Sequence, residues 1–155
     1  MQKFERAQFE IQEYVESQSY GKFEVQPLER GFGTTIGNAL RRVLLSSLPG
    51  AAVYSVKIEG VYHEFTSIPG VVEDVTNIIL NLKDLILSIS DDDTYTLRIN
   101  AKGSKVVTAG DIECPANVEI LNKDLVLATL EEGAVLEMEM KAKNGRGYVS
   151  ADQNK

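Results

Sequence analysis

The stretch from Gly33 to Gly50, GTTIGNALRRVLLSSLPG, constrains this chain more than any other. Its apolar residues recur at helical spacing, Thr34 or Thr35 is placed to cap the start, and Pro49-Gly50 supplies a stop. At about 100° per residue, Ile36, Ala39, Leu40, Val43, Leu44 and Ser47 gather on one side, which is the expected core stripe. The opposite side departs from the pattern of a solvated face. There Asn38, Arg41 and Arg42 surround Leu45, so a large apolar side chain stands between two guanidinium groups. One exposed leucine is ordinary on any surface. A leucine anchor flanked by arginines that pair with carboxylates is also the composition of a protein contact, and the pattern alone leaves both readings open.

Such a helix needs a cover. Residues 9–29 show two partly alternating stretches around a Ser-Gln-Ser-Tyr-Gly turn, which predicts a β-hairpin whose second strand lies on an edge or ends at Pro27. Two strands and one helix face are marginal as a unit. The cover therefore comes from the rest of the chain, a second copy, or sequence beyond Lys155.

From Ala51 to Glu59 the alternating AAVYSVKIE predicts a strand. After Pro69-Gly70, VVEDVTNIILNLK carries Val72, Val75, Ile79 and Leu82 at 3-4-3 spacing, with Glu73 and Asp74 in the first turn and Lys83 in the last. That charge placement suits the helix dipole at both ends and predicts a second helix. Beyond it, DLILSIS, TYTLRIN, KVVTA, NVEIL, LVLATL and AVLEMEMKAK read as short strands separated by turn residues, while NGRGYVSADQNK returns to polar loop composition.

Composition narrows the function classes. The 155 residues hold 23 acidic and 16 basic side chains, a formal charge of −7, which disfavours wrapping nucleic acid by counterion release. The single Cys114 cannot form a disulfide framework or a Cys-based zinc site and fits a reducing compartment. The opening MQKFERAQFE has no signal-peptide core, and no run approaches the ~20 apolar residues of a membrane span. A cytoplasmic protein is expected.

The chemical motifs fail on their details. GFGTTIG lies in a strand-helix-strand outline, but the fingerprint G-x-G-x-x-G needs a glycine where Ile36 stands, and the segment before it contains Pro27 and several charges. His63-Glu64 opens like H-E-x-x-H, yet Ser67 takes the second histidine's place and the chain has no other histidine. Nothing flanking His63 builds a triad, so a surface or half-buried polar histidine is expected. Asp91-Asp92-Asp93 lacks the glycine and closing glutamate of a calcium loop and is expected to be a solvated hairpin turn. Cys114, before Pro115 and with no basic neighbour, is expected to be an inert thiol. No catalytic residue and no metal site is read from the sequence; it reads as an interaction protein.

At LERGFGTTIGNALRRVLLSSLPG, residues 28–50, the chain resembles the N-terminal domain of the alpha subunit of bacterial DNA-directed RNA polymerase. The resemblance continues through GVYHEF at 60–65, PGVVEDV at 69–75, ILNLK at 79–83, VTAGDI at 107–112, VEI at 118–120 and NGRGYV at 144–149. It implies an α+β fold: the N-terminal hairpin and helix of a dimerisation subdomain, residues 1–50, with an inserted, mainly antiparallel β-rich subdomain carrying one helix at 51–149. The segment completing the first part is absent or only begun at 150–155, so the chain resembles about two thirds of that domain.

The resemblance further implies a non-catalytic assembly subunit of a nucleotidyltransferase, acting in transcription without cofactor or metal of its own. Two copies would dimerise and scaffold the beta and beta-prime subunits, with no direct DNA contact and no membrane. Phe32, Ile36, Leu40, Val43 and Leu44 then serve subdomain core and dimer contact; Arg41, Arg42 and Leu45 match positions that hold the beta subunit; Lys83 and Gly145-Arg146-Gly147-Tyr148 match positions toward the large subunits. The bland readings of the last two are a dipole-matched helix end and a simple turn. Two alternatives stand beside this reading: a standalone protein-binding α+β domain, and a nucleotide-binding enzyme using the GFGTTIG loop.

Overall fold

The computed structural model describes residues 6–16 and 20–154. The elements run β1 (Gln8–Val15), β2 (Tyr20–Gln26), α1 (Phe32–Ser46), β3 (Pro49–Ile58), α2 (Val75–Lys83), β4 (Leu87–Ile89), β5 (Tyr95–Lys102), β6 (Lys105–Thr108), β7 (Val118–Ile120), β8 (Val126–Leu130), β9 (Val135–Arg146) and α3 (Ala151–Asn154). This is the expected α+β class with mainly antiparallel strands. The chain forms two compact units, residues 1–45 and 46–155.

In the first unit β1 and β2 pair antiparallel from Gln8↔Gln26 to Val15↔Tyr20, with a bulge between Ile11 and Glu13. The Phe9 and Phe23 rings stack at 5.2 Å. The expected turn at Ser17-Gln18-Ser19 lies outside the described residues. β2 stops at Gln26, as it should before a residue with no N–H to donate. Gly31, at φ +93°, makes the turn into α1, and the Phe32 N–H donates to the Glu29 carbonyl at 3.1 Å. The helix therefore starts ahead of Thr34 and Thr35, and neither is its cap. The Thr35 hydroxyl instead donates back to the Gly31 carbonyl at 3.5 Å. No α1 residue is fully buried.

The second unit is built on a five-stranded sheet of order β5-β9-β3-β4-β7. Its spine is the β3–β9 ladder, running from Pro49↔Arg146 to Ile58↔Met138. On β9 the period-2 pattern buries Leu136, Met138, Met140 and Ala142, and β5 buries Leu97, Ile99 and Ala101 in the same way. β6 and β8 form a second, two-stranded antiparallel sheet. The core lies between these strands and α2, around Ile78, Leu97, Ile99, Leu127, Leu136 and Met140.

Three expectations are corrected here. The α2 stripe is Val75, Ile78 and Leu82, with Ile79 half-buried and Val72 exposed ahead of the helix. The reason is local: the Asp74 carboxylate caps the helix by accepting the Asn77 N–H at 2.7 Å, and Val72 instead donates its N–H to the Thr129 carbonyl of β8 at 3.0 Å. Glu73 likewise stands before the helix. The acidic run 91–93 is not a hairpin turn, because β4 pairs with β3 and β7 while β5 pairs with β9, so the chain crosses to the opposite sheet edge. Finally, Asn144, Gly145 and Arg146 are strand rather than loop, since Ala51, Gly50 and Pro49 extend the ladder to meet them.

Candidate functional site

On α1, Leu45 lies one turn from both Arg41 and Arg42, at i+4 and i+3, so the three share one side of the helix. All are exposed, Leu45 at 63%. Phe32, Leu40, Val43 and Leu44 are exposed as well, and Ile36 is half-buried. The hairpin adds Phe9, Ile11, Tyr14 and Phe23 to the outside of the same unit. Exposed apolar side chains of this kind are the composition from which interaction surfaces are built.

In the second unit, Lys83 closes α2 and lines a shallow cleft with Val53, Tyr54, Ser55, Val56, Ile79 and Leu82. The Lys143 ammonium lies 4.5 Å from the centre of the Tyr54 ring, a cation–π distance. Gly145 and Arg146 pair with Gly50 and Pro49, so only Gly147, at φ +65°, turns the chain, and it leaves Tyr148 90% exposed. Lys83 and the 145–148 segment thus adjoin the same strand, β3, at its middle and its start. Arg41, Arg42 and Leu45 belong to the other unit.

The titrating groups with displaced pKa values hold structure together. The Asp91 carboxylate accepts the Tyr95 hydroxyl at 2.6 Å, an Asn117 amide at 2.8 Å and the Asp93 N–H at 3.1 Å, and the Tyr95 hydrogen bond leads in holding its pKa below the ordinary range. The same bond raises the Tyr95 phenol. Asn144 reaches the carbonyls of Ile89 and Asp91 at 3.2 and 2.6 Å and fastens this crossing to β9. Asp111 is lowered chiefly by Lys105, at 2.6 Å, and Cys114 is raised by burial, as befits an inert thiol. His63 is exposed, as expected. The nucleotide-loop outline also dissolves: β2 pairs with β1 and β3 lies in a separate sheet, so β2-α1-β3 is no parallel unit, and Gly33 and Gly37 are inside the helix.

Sequence reasoning passed over two features. Glu73 binds β8 through Thr129, a contact between residues 56 apart in the chain that no local pattern signals. Tyr62 and Phe65, in the loop after β3, are 97% and 82% exposed. Their signal was available as two aromatic residues in a polar segment.

Fold and surface together define a class: an α+β module whose β-rich unit buries its own core and whose helical unit carries its apolar side chains outside. A family model described as the RNA polymerase Rpb3/RpoA insert domain matches residues 56–155. The DNA-directed RNA polymerase subunit alpha of Alkaliphilus metalliredigens is 57% identical over 155 residues, 100% of this chain and 49% of that protein. The subunit alpha of Symbiobacterium thermophilum is 60% identical over 151 residues, 97% and 48% of the two chains, and that of Moorella thermoacetica 64% over 136 residues, 88% and 44%. This chain belongs to the RNA polymerase Rpb3/RpoA insert-domain family. It spans about half the length of the curated relatives it matches.

Proposed function

We propose that the chain acts in transcription as an assembly part of a multisubunit DNA-directed RNA polymerase, dimerising and holding the beta and beta-prime subunits, and that nucleotidyl transfer belongs to those partners. The observation that carries this reading is the face of α1, where exposed Leu45 stands between Arg41 and Arg42. A leucine for a desolvated pocket and two guanidinium forks for carboxylates make a protein-binding surface. The relatives named as polymerase alpha subunits support the same reading.

Residues 1–50 supply the dimerisation part, with Phe32, Ile36, Leu40, Val43 and Leu44 divided between that contact and the subdomain's own packing, and residues 51–149 supply the inserted part. Lys83 and Gly145 to Tyr148 add contacts to the large subunits. The working compartment is the cytoplasm, and no described helix is long and apolar enough to cross a membrane.

The test is light scattering of the purified chain, alone and mixed with the beta subunit, repeated with Arg42→Ala. A dimer that captures beta, with capture weakened in the variant and circular dichroism unchanged, is the expected result. A chain that ignores beta overturns the reading, and an unfolded Arg42→Ala makes the arginine structural instead.

A further inference from the structure

The chain has eight asparagines, and only Asn144 is followed by glycine. That dipeptide has a chemistry of its own. The amide nitrogen after an asparagine can attack the side-chain Cγ, and a glycine there carries no Cβ to hinder the approach. Nothing in the fold asks for glycine at 145: its φ is not positive, and a Cβ placed on it would meet no described atom within 4 Å. What the fold does instead is hold the pair still. Asn144 and Gly145 lie in β9 opposite Ala51 and Gly50 of β3, and the part-buried Asn144 amide donates to the carbonyls of Asp91 at 2.6 Å and Ile89 at 3.2 Å. Ring closure needs that amide turned away from both acceptors and the backbone swung out of its extended form, so it is open only while the ladder is. The acceptors are tied in turn, because the Asp91 carboxylate holds Tyr95 at 2.6 Å and Asn117 at 2.8 Å. The ladder stops at Pro49↔Arg146, one pair beyond Gly145. Such ends are where local opening is easiest.

We propose that Asn144 is a latent modification site, a one-way latch at the end of the β3–β9 ladder that converts to isoaspartate while the ladder end stands open. In the step, the Gly145 nitrogen gives its proton to water or hydroxide and bonds to Asn144 Cγ; the Cγ–Nδ2 bond breaks, and ammonia leaves with a proton taken from water. A second water then opens the five-membered ring at either carbonyl, giving aspartate or isoaspartate. No enzyme, metal or oxidant enters. The product does not reseat. Its carboxylate has no N–H to donate and would face two carbonyl oxygens, which leaves the acceptors unmet and adds a charge beside them. Isoaspartate also lengthens the main chain by one methylene, which throws Gly50↔Gly145 and Pro49↔Arg146 out of register.

The experiment incubates the whole chain at mildly alkaline pH, in buffer and in unfolding urea, and follows isoaspartate by peptide mass mapping and by methyl transfer from an isoaspartate methyltransferase. In urea, conversion appears at Asn144 ahead of the other asparagines. In buffer the same site converts about 10- to 100-fold more slowly, as a reaction gated by local opening does. Asp91→Ala, which loosens the acceptors, moves the buffer rate toward the urea rate. Gly145→Ala removes conversion under both conditions and melts with the wild type, since its Cβ enters open space. Asn144→Asp, which sets the carboxylate in place without rearrangement, lowers the melting temperature by roughly 4–8 °C. Equal rates in buffer and urea would show that the ladder protects nothing and overturn the inference, as would undiminished conversion in Gly145→Ala or none at Asn144 in urea. An Asn144→Asp chain that melts with the wild type would show that the product reseats, and the latch would be refuted.

Discussion

Removing the Glu73 carboxylate tests the packing of the β-rich unit at a single point. Its Oε2 accepts the Thr129 N–H at 2.6 Å and its Oε1 accepts the Thr129 hydroxyl at 3.0 Å, both part-buried. On the same edge of β8 the Thr129 carbonyl accepts the Val72 N–H at 3.0 Å, so residues 72–73 are fastened to the strand by donor and acceptor alike. Glu73→Ala leaves the Thr129 N–H without its acceptor. A hydrogen bond to a charged group contributes about 1.5–3 kcal/mol, and an unmet buried donor costs about 1–3 kcal/mol. These figures describe the same donor and overlap, so the expected loss is about 2–3 kcal/mol rather than their sum. Urea unfolding reads it directly: with an m-value near 2 kcal/mol/M, the midpoint falls by roughly 1–1.5 M while m stays constant. Glu73→Gln keeps an acceptor and loses the charge, and recovers about half. A Glu73→Ala chain within about 0.5 kcal/mol of wild type would mean that water replaces the carboxylate at no cost, and the clamp would have no part in stability.

Tyr95→Phe raises the Asp91 pKa toward the ordinary carboxylate value, because the Tyr95 hydroxyl is the leading cause of its depression. A depressed carboxylate contributes stability above its unfolded pKa, about 3.9, and loses it as pH falls through the folded value; the variant therefore loses less on acidification below pH 4. Carboxyl-detected NMR follows the Asp91 midpoint directly, and an unmoved midpoint refutes the assignment. Ile78→Ala, at a fully buried site on α2, costs about 2–5 kcal/mol, whereas Leu80→Ala, half exposed on the same helix, stays within about 0.5 kcal/mol. Thermal unfolding of the pair separates core from surface, and equal losses would misplace the helix face.

What local pattern encodes was legible; what pairing encodes was not. The alternation from Leu136 to Ala142 on β9 and the apolar spacing on α2 announced strand and helix, and period 3.6 placed Arg41, Arg42 and Leu45 on one side of α1. Register and strand order escaped. Asn144 to Arg146 are polar or glycine and become strand only because Pro49 to Ala51, nearly a hundred residues earlier, pair with them. The acidic run after β4 looked like a hairpin because sequence adjacency says nothing of β9 and β3 lying between β4 and β5. The α2 stripe slipped because Val72 fits the spacing but answers to β8, which leaves Ile78 as the inward residue. Tyr62 and Phe65 sit in a loop, where no periodicity separates an inward ring from an outward one.

The two units bury their apolar side chains unequally. Among the described residues every fully buried side chain belongs to the second unit, and all of them are apolar. The first unit leaves Phe32, Leu40, Val43, Leu44 and Leu45 each about half exposed. Full burial of such a side chain contributes about 1.5–3 kcal/mol, so covering the exposed half of each yields roughly 1 kcal/mol, or about 5 kcal/mol for the helix. Association costs an estimated 4–15 kcal/mol in lost translational and rotational freedom. The helix alone stands at the bottom of that range and cannot hold a lasting complex by apolar contact. Phe9, Ile11, Tyr14 and Phe23 on the hairpin supply comparable area, and Arg41 and Arg42 supply charge. If the proposed assembly runs through this unit, hairpin and helix have to be covered together for the complex to last.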